Sequence, residues 1–297
     1  MECGDWSPLW PQFQKRRRVA ALQNVSRSNT TIKTHKTMTD PLELRQLLDF
    51  AAHLAREAGE ITRHYFKSSF VTERKADRSF VTNADREAET YIRNAITQSF
   101  PADGILGEEE GERTGTSGRR WIIDPIDGTY SFVHGVPLYA VLIGLEIDDE
   151  PILGAVNLPA LNELVYAARG LGCFWNEEPA RVSSASSLSE ALLLCTDFGT
   201  CAQNGFGPAA EVLQERVSTR RTWGDAYGHL LVATGRADIM LDPVMNVWDC
   251  AALLPIVEEA GGRFTDWQGR STIQGGNAIS TNALLFDQVM EIVRENS

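Results

Sequence analysis

The chain has 297 residues, 43% of them hydrophobic, and a formal net charge of −12. That length and apolar content suit one large globular domain or two fused halves, and no apolar run approaches the roughly 18 residues of a membrane-spanning helix. The acidic balance argues against a nucleic-acid partner, which calls for a basic face, and five cysteines without a CxxC pair or regular spacing point to a reduced, cytoplasmic protein. The charge is unevenly spread. Residues 1–37 hold seven Lys/Arg and two acidic residues, net +5, while the remainder holds 21 against 38, net −17.

Residues 1–37 mix Trp6, Pro8, Trp10 and Pro11 with the basic run Lys15-Arg16-Arg17-Arg18, then a Ser/Thr/Asn stretch. No apolar period is present, which predicts a disordered extension. The basic run is compatible with a targeting or nucleic-acid element. Lacking an apolar h-region or an amphipathic period, it reads more plainly as a non-functional extension ahead of a start at Met38.

Order is expected to begin at Asp40-Pro41, an N-cap followed by Pro at the first helical position. Leu44, Leu47, Leu48, Ala51, Ala52, Ala55, Ala58 and Ile61 then recur at helical spacing. A strand or hairpin containing Lys75 is predicted over 70–82. A second helix is predicted over 85–99, with Ala88, Tyr91, Ile92, Ala95 and Ile96 on one face. Strand signals follow at 121–124, 139–147, 152–158, 164–168 and 173–175, a run typical of an antiparallel or mixed sheet. The polar stretch 183–189 marks a boundary between an N-terminal α+β half (38–182) and a C-terminal α/β half (183–297). In the second half, strands at 192–196 and 239–241 alternate with helices at 225–235, 246–260 and 283–294, a layered α/β pattern. Pro255 should kink or shorten the middle helix.

Three carboxylate clusters stand out: Gly107-Glu108-Glu109-Glu110, Asp124-Pro125-Ile126-Asp127-Gly128-Thr129 and Trp248-Asp249. Mg²⁺ takes hard oxygen ligands in octahedral geometry, and two such ions about 3.5–4 Å apart clamp the attacking and leaving oxygens of a phosphoryl group. Building that pair takes carboxylates from separate segments, at least one of them bridging. Residues 121–129 read as a buried strand leaving its sheet into a turn, where Pro125 restricts the backbone. Such a turn can aim Asp124, Asp127 and the Ile126 carbonyl at one point. Gly128 allows close backbone approach, and the Gly128 and Thr129 N–H groups suit phosphate oxygens. Each cluster also has a plainer reading: an acidic turn after a strand, a solvated charge run at Glu108 to Glu110, and a helix N-terminal carboxylate at Asp249. The five histidines show no HExxH or comparable zinc spacing.

Taken together, Val81-Thr82-Asn83-Ala84-Asp85, Gly107-Glu108-Glu109, Asp124 to Thr129, Trp248-Asp249-Cys250-Ala251-Ala252 and Glu259-Ala260-Gly261-Gly262 resemble the motifs of the inositol monophosphatase superfamily of lithium-sensitive, Mg²⁺-dependent phosphatases. The resemblance spans roughly residues 40–295. It implies a layered α/β fold, an αβαβα sandwich with the metal site between its halves, a homodimer, and Li⁺ inhibition through replacement of a weakly held Mg²⁺. It also implies roles at matching positions. Glu108, Asp124 and the Ile126 carbonyl would hold a first metal, and Asp124, Asp127 and Asp249 a second, with Asp124 bridging. Glu109 would support a third through water, giving two to three Mg²⁺ per site. Asp85 and Thr129 would orient and activate the attacking water, whose pKa a metal lowers. No covalent enzyme intermediate would be required.

The C-terminal half would read the alcohol. Arg221-Thr222-Trp223-Gly224-Asp225-Ala226-Tyr227-Gly228, and the run from Asp242 to Asp249, are more similar to the histidinol-phosphate phosphatase branch than to the inositol branch. Ser131-Phe132 and Ser280-Thr281-Asn282 fit the same branch. Histidinol phosphate carries a cationic amine and an imidazole. Asp225 and Asp242 would offer them carboxylates through charge-assisted hydrogen bonds, and Trp223 or Tyr227 would pack on the ring. The plainer reading makes Asp225 a helix cap and Trp223 a core residue. The branch usually has Lys directly after Asp-Gly-Thr, where this chain has Tyr130. The expected activity is hydrolysis of L-histidinol phosphate to L-histidinol. The alternatives are an inositol-1-phosphatase or broader sugar or nucleotide phosphatase, and a non-catalytic regulatory binding protein on the same fold.

Overall fold

Helix α1 (Pro41–Tyr65) starts at the expected cap: the Asp40 side chain accepts a hydrogen bond from the Leu42 N–H at 3.1 Å, with Pro41 in the first turn. The computed structural model describes residues 40–75 and 80–296, which belong to one compact unit. The predicted extension over 1–37, its basic run and Met38 lie outside the described residues. Strands β1 (Thr72–Arg74) and β2 (Phe80–Thr82) pair antiparallel, and Lys75 directly follows β1. Helix α2 (Asn83–Ser99) then opens on a capping box in which Thr82 and Asp85 bond reciprocally.

The apolar stripes of α1 (Leu44, Leu47, Leu48, Ala51) and α2 (Ile92, Ile96) bury themselves on one face of an eight-stranded sheet. Its strands are β3 (Gly104–Gly107), β4 (Gly111–Arg113), β5 (Arg119–Asp127), β6 (Ala140–Ile147), β7 (Glu150–Leu158), β8 (Glu163–Ala168), β9 (Gly172–Trp175) and β10 (Glu178–Ala180). They lie in the order β10-β9-β8-β7-β6-β5-β3-β4, antiparallel throughout except for β3 beside β5. Strand β5 leads into the short helix α3 (Thr129–Val133). The β5–β6 pairing shifts register between Asp124 and Asp127: Asp124 faces Leu142 and Asp127 faces Ala140. The extra residue on β5 makes a bulge, a device that re-aims side chains at a strand end.

A second, five-stranded sheet is built from β11 (Leu192–Cys195), β12 (Thr219–Arg221), β13 (Ile239–Asp242), β14 (Gly262–Thr265) and β15 (Ala278–Asn282), in the order β12-β11-β13-β15-β14. Helices α4 (Phe198–Gln203) and α5 (Gly207–Arg216) connect β11 to β12. Between the two sheets lie α6 (Asp225–Ala233), α7 (Val247–Ala251) and α8 (Leu253–Glu259), sharing a core with Ile122, Leu142, Val156 and Phe264. The outer face of the second sheet is covered by α5 and α9 (Phe286–Glu295). The layers therefore run αβαβα, as the resemblance implies. The helix predicted over 246–260 is two helices that break at Ala252. Pro255 has no N–H for the Ala251 carbonyl, so one continuous ladder cannot form. Helices α3, α4 and α5 and strands β3, β4, β10, β12, β14 and β15 are not among the predicted elements. They are short, and tertiary contacts rather than a long periodic stretch define them.

Two glycines seat the middle layer. Gly144 of β6 and Gly154 of β7 face each other across the ladder. A Cβ at Gly154 would stand 2.0 Å from the Ala252 carbonyl oxygen, and one at Gly144 2.8 Å from the Ala251 carbonyl carbon. The α7–α8 junction thus rests directly on the sheet backbone. Gly154→Ala is expected to destabilise the fold by about 1–3 kcal/mol through overpacking, or roughly 2–4 °C in Tm per kcal/mol for a domain of this size. Thermal denaturation checks this; an unchanged Tm would mean the junction yields without loss.

Candidate metal centre

The bulge in β5 and the start of α7 bring three aspartates together. The Asp124 Oδ1 atom accepts the Ile126 N–H at 3.0 Å, closing the turn around Pro125. The Thr129 hydroxyl donates to the Ile126 carbonyl at 3.0 Å. Asp249 is the third residue of α7, and its Oδ2 accepts the Asn246 N–H at 2.6 Å in a capping box. Carboxylate oxygens of Asp124, Asp127 and Asp249 lie within 4.8 Å of one another. The reading of Asp249 as a helix N-terminal carboxylate is therefore true geometrically, and the same residue also joins the cluster.

Glu108 and Glu109 occupy the turn between β3 and β4. Their placement depends on Glu89 of α2, a fully buried acid whose carboxylate accepts the N–H groups of Glu109 at 2.8 Å and Glu110 at 3.0 Å. Glu89 is itself paired with Arg93 at 2.7 Å. Gly107 makes room for it, since a Cβ there would lie 2.0 Å from the Glu89 Oε1. The Lys75 ammonium donates to Glu108 at 2.7 Å and to Glu109 at 2.6 Å. The side chain of Glu109 is 7% exposed, so a solvated charge run describes only Glu110, which bonds Thr90 at the rim.

Burial first, then the charges of Glu108, Asp127 and Asp249, push the Asp124 carboxyl well above the usual range. Burial, Asp225 and Asp249 do the same to Asp127, and burial lifts Asp249 to about 6. Asp85 is raised to about 7 by burial, against the Thr82 hydroxyl and N–H that bond its Oδ2. Its Oδ1 is buried without a hydrogen-bond partner, and no hydrogen bond joins it to Thr129. Burial opposes the charge on Lys75, but its bonds to Glu108 and Glu109 outweigh that and raise it. These carboxylates cannot all ionise together without a counter-charge. A donor set made wholly of carboxylate and carbonyl oxygen suits a hard divalent cation, so the residues present fit the metal that the motifs imply.

On the far wall, Asp225 opens α6 with φ +54°, a region L residues rarely adopt. Its N–H donates to the Thr196 hydroxyl at 3.0 Å, and that hydroxyl donates to Asp242 Oδ2 at 2.7 Å. The next N–H, of Ala226, donates to Asp127 Oδ2 at 2.7 Å. A Cβ at Gly128 would meet Asp225 Oδ2 at 3.0 Å, so this carboxylate lies against the Asp-Gly-Thr turn. The plainer reading of Asp225 as a cap fails, because the N-cap is Gly224 and no side chain caps α6. Burial lifts the Asp225 carboxyl to about 6. Trp223 is 42% exposed rather than core. Tyr227 is partly buried against two apolar clusters, with the Arg236 guanidinium 6.0 Å from its ring. Asp242 is buried, and its Oδ2 lies 4.0 Å from His229 Nε2. Burial drives that histidine down to about 3, so it stays neutral, with Nδ1 2.7 Å from Ser280. Tyr130 is 58% exposed beside the turn, its ring stacked on His134 at 6.0 Å and 4.8 Å from Phe80.

Sequence reasoning singled out neither Glu89, Thr196 nor His229, and it noted Lys75 without a partner. Glu89 stands one helical turn from Asp85 and four residues before Arg93, a signal that was available. Thr196 had no signal beyond its place at a strand end. A separate 320 Å³ cavity is lined by Arg120, Glu146, Glu150 and Arg169, whose arginines already pair with those glutamates, and it holds none of these residues.

A model of the inositol monophosphatase family matches residues 43–296. The histidinol-phosphatase of Chlorobaculum parvum is 46% identical over 79% of this chain and 92% of its own length. That of Mycobacterium tuberculosis is 42% identical over 82% and 96%. The solved structure of the Thermotoga maritima IMPase superposes with a TM-score of 0.76 at 36% identity, covering 84% of this chain and 97% of that one.

The clustered acids set a sign for pH. Their folded-state pKa values lie above the unfolded value of 3.8, so the folded state binds more protons than the unfolded one and stability falls as pH rises. For the metal-free protein this loss is expected to begin as pH rises above 3.8 and to continue through about 6 for Asp249 and about 7 for Asp85, with Asp124 and Asp127 adding to it in the same direction and Mg²⁺ restoring stability at the alkaline end. Asp124→Asn removes one of the competing charges. It should melt above the wild type in EDTA at alkaline pH and gain less from Mg²⁺. Thermal denaturation across pH, with EDTA or Mg²⁺, checks this; a variant that melts below the wild type in EDTA at alkaline pH contradicts the mutual repulsion.

Proposed function

We propose that this chain, which belongs to the inositol monophosphatase family and is a phosphoric monoester hydrolase, acts on L-histidinol phosphate and releases L-histidinol and phosphate. The observation that carries the reading is the Asp225 carboxylate. It lies against the Asp-Gly-Thr turn, caps no helix and faces the acidic cluster. An anion at that distance from a phosphate site suits an ester whose alcohol carries an ammonium group, through a charge-assisted hydrogen bond. The names of the two relatives support the same choice.

In this reading Glu108, Asp124, Asp127, Asp249 and the Ile126 carbonyl hold two to three Mg²⁺, which when bound supply an activated water and neutralise charge on the phosphoryl group. The N–H groups of Gly128 and Thr129 bind phosphate oxygens. Asp85, with a carboxyl near 7 and an unpartnered Oδ1, would accept the proton of the attacking water through Thr129 once that hydroxyl turns from the Ile126 carbonyl to Oδ1. Glu109 steadies the water-linked cation, and Lys75 balances its charge. Asp225 takes the substrate amine, and the exposed face of Trp223 packs on the imidazole. Asp242 is turned onto Thr196 and His229, so it supports Asp225 from behind. The reading includes a homodimer, from the family resemblance. No helix of the described residues is long and apolar enough to cross a membrane.

A second reading, a phosphatase for neutral sugar-alcohol esters, is favoured by Tyr130, which puts an exposed ring where the histidinol-phosphate branch has a cation. The two readings separate on substrate. With Mg²⁺, kcat/KM for L-histidinol phosphate is expected to exceed that for inositol 1-phosphate and fructose 1,6-bisphosphate by at least about tenfold, or 1.4 kcal/mol, and EDTA should abolish all turnover. Asp225→Asn should lower kcat/KM for histidinol phosphate about tenfold or more while changing inositol 1-phosphate less than about twofold. Equal losses on both esters would count against the recognition role, and a better turnover of inositol 1-phosphate would favour the second reading.

A further inference from the structure

We infer that Thr196 is a positioning residue that sets substrate preference by holding Asp225 in the left-handed backbone region with its carboxylate against the phosphate turn. The inference deepens the reading of Asp225 as the amine-binding group and rests on it. Thr196 directly follows β11 and is tied to β13 by its own N–H, which meets the Leu241 carbonyl at 3.4 Å. Its hydroxyl has one proton, and Asp242 Oδ2, at 2.7 Å, accepts it. A backbone N–H can only donate, so a hydroxyl lone pair faces the Asp225 N–H at 3.0 Å while the hydroxyl proton points to Asp242. Asp242 cannot turn away easily, being buried and packed beside the neutral His229.

Close packing adds to the hydrogen bonds. A Cβ at Gly224 would stand 2.4 Å from Thr196 Cα and 2.7 Å from its Oγ1, so the loop lies flush on this residue. Asp225 then takes φ +54° without a glycine to ease it. Such a conformation persists where the surroundings over-determine it, and such sites cluster at ligand-binding positions. Two ties hold the loop: Thr196 on the Asp225 N–H, and Asp127 on the Ala226 N–H. Loss of the hydroxyl removes the first tie and leaves the second. Asp225 would relax toward negative φ and draw its carboxylate away from Gly128, while Asp127 keeps its partner. The defect should therefore fall on the alcohol rather than on the phosphate.

The test uses the full-length, Mg²⁺-loaded enzyme with Thr196→Val, Thr196→Ser, Asp225→Asn and the Val/Asn double variant. Thr196→Val is expected to raise KM for L-histidinol phosphate about tenfold with kcat within about twofold, and to change kcat/KM for inositol 1-phosphate less than about twofold. Thr196→Ser, which keeps the hydroxyl, should stay within about twofold of wild type on both esters. In the Asp225→Asn background, Thr196→Val should change kcat/KM less than about twofold, because both substitutions act through one carboxylate. Equal losses on the two esters, or a full loss persisting in the Asp225→Asn background, would overturn the assignment. If the wild type shows no preference for histidinol phosphate, the substrate reading fails by itself. The positioning role is then judged by the crystal structure of Thr196→Val: Asp225 leaving positive φ supports it, and Asp225 unmoved overturns it. Should the Val variant fail to fold by circular dichroism, Thr196→Ala takes its place in every arm.

Discussion

The rest of the site follows from a repulsion. Asp124, Asp127 and Asp249 bring carboxylate oxygens within 4.8 Å of one another, and Glu108 and Asp225 add their charges to the same region. Burial weakens the solvent that would otherwise screen them. Such an arrangement is unfavourable for folding and survives only if the scaffold holds each member independently. The three aspartates and the turn that carries Glu108 each have such a tether. Asp124 bonds the Ile126 N–H, Asp127 the Ala226 N–H and Asp249 the Asn246 N–H, while the Glu108–Glu109 turn hangs from Glu89. None of these backbone tethers uses another member of the cluster, and a side-chain hydrogen bond between Asp124 and Asp249 adds to them.

Helix starts provide much of that tethering. Asp85 and Asp249 both stand third in a capping box, one carboxylate oxygen closing the helix and satisfying a backbone donor. A first-turn acid is also favoured there by the helix dipole. Local folding preference and site construction therefore select the same residue type at the same position. The sheet contributes differently, through the bulge that lets Asp124 and Asp127 leave β5 in a shared turn.

This double duty explains what was legible beforehand. Helix α1 could be read from its cap and apolar period, and the strands β5 to β9 from their apolar runs, because those signals are local. The acidic runs were visible as three separate stretches, each with a plainer explanation. That Asp249 meets Asp124 is a tertiary fact, carried by the seat of α7 on Gly144 and Gly154. The break at Ala252 was readable only as a Pro255 disturbance, since the pattern on either side remains helical. Thr196 and His229 carry no local signal for a common reason: each acts by hydrogen bonds to residues distant in sequence, whereas Glu89 has Arg93 one turn away but reaches the Glu109 and Glu110 N–H groups only through the fold. Single buried polar residues carry no period.

The Lys75 ammonium, set between Glu108 and Glu109, has a bearing on reversibility. A cation arriving at those two glutamates does not fill a vacant anionic hole. It exchanges with a resident one, so the binding free energy there is a difference between two sets of ion pairs and smaller than either. The chain thus carries a built-in competitor, attached next to a short hairpin strand at the edge of the site. Occupancy is then governed by where one side chain sits as much as by how many oxygens surround the ion.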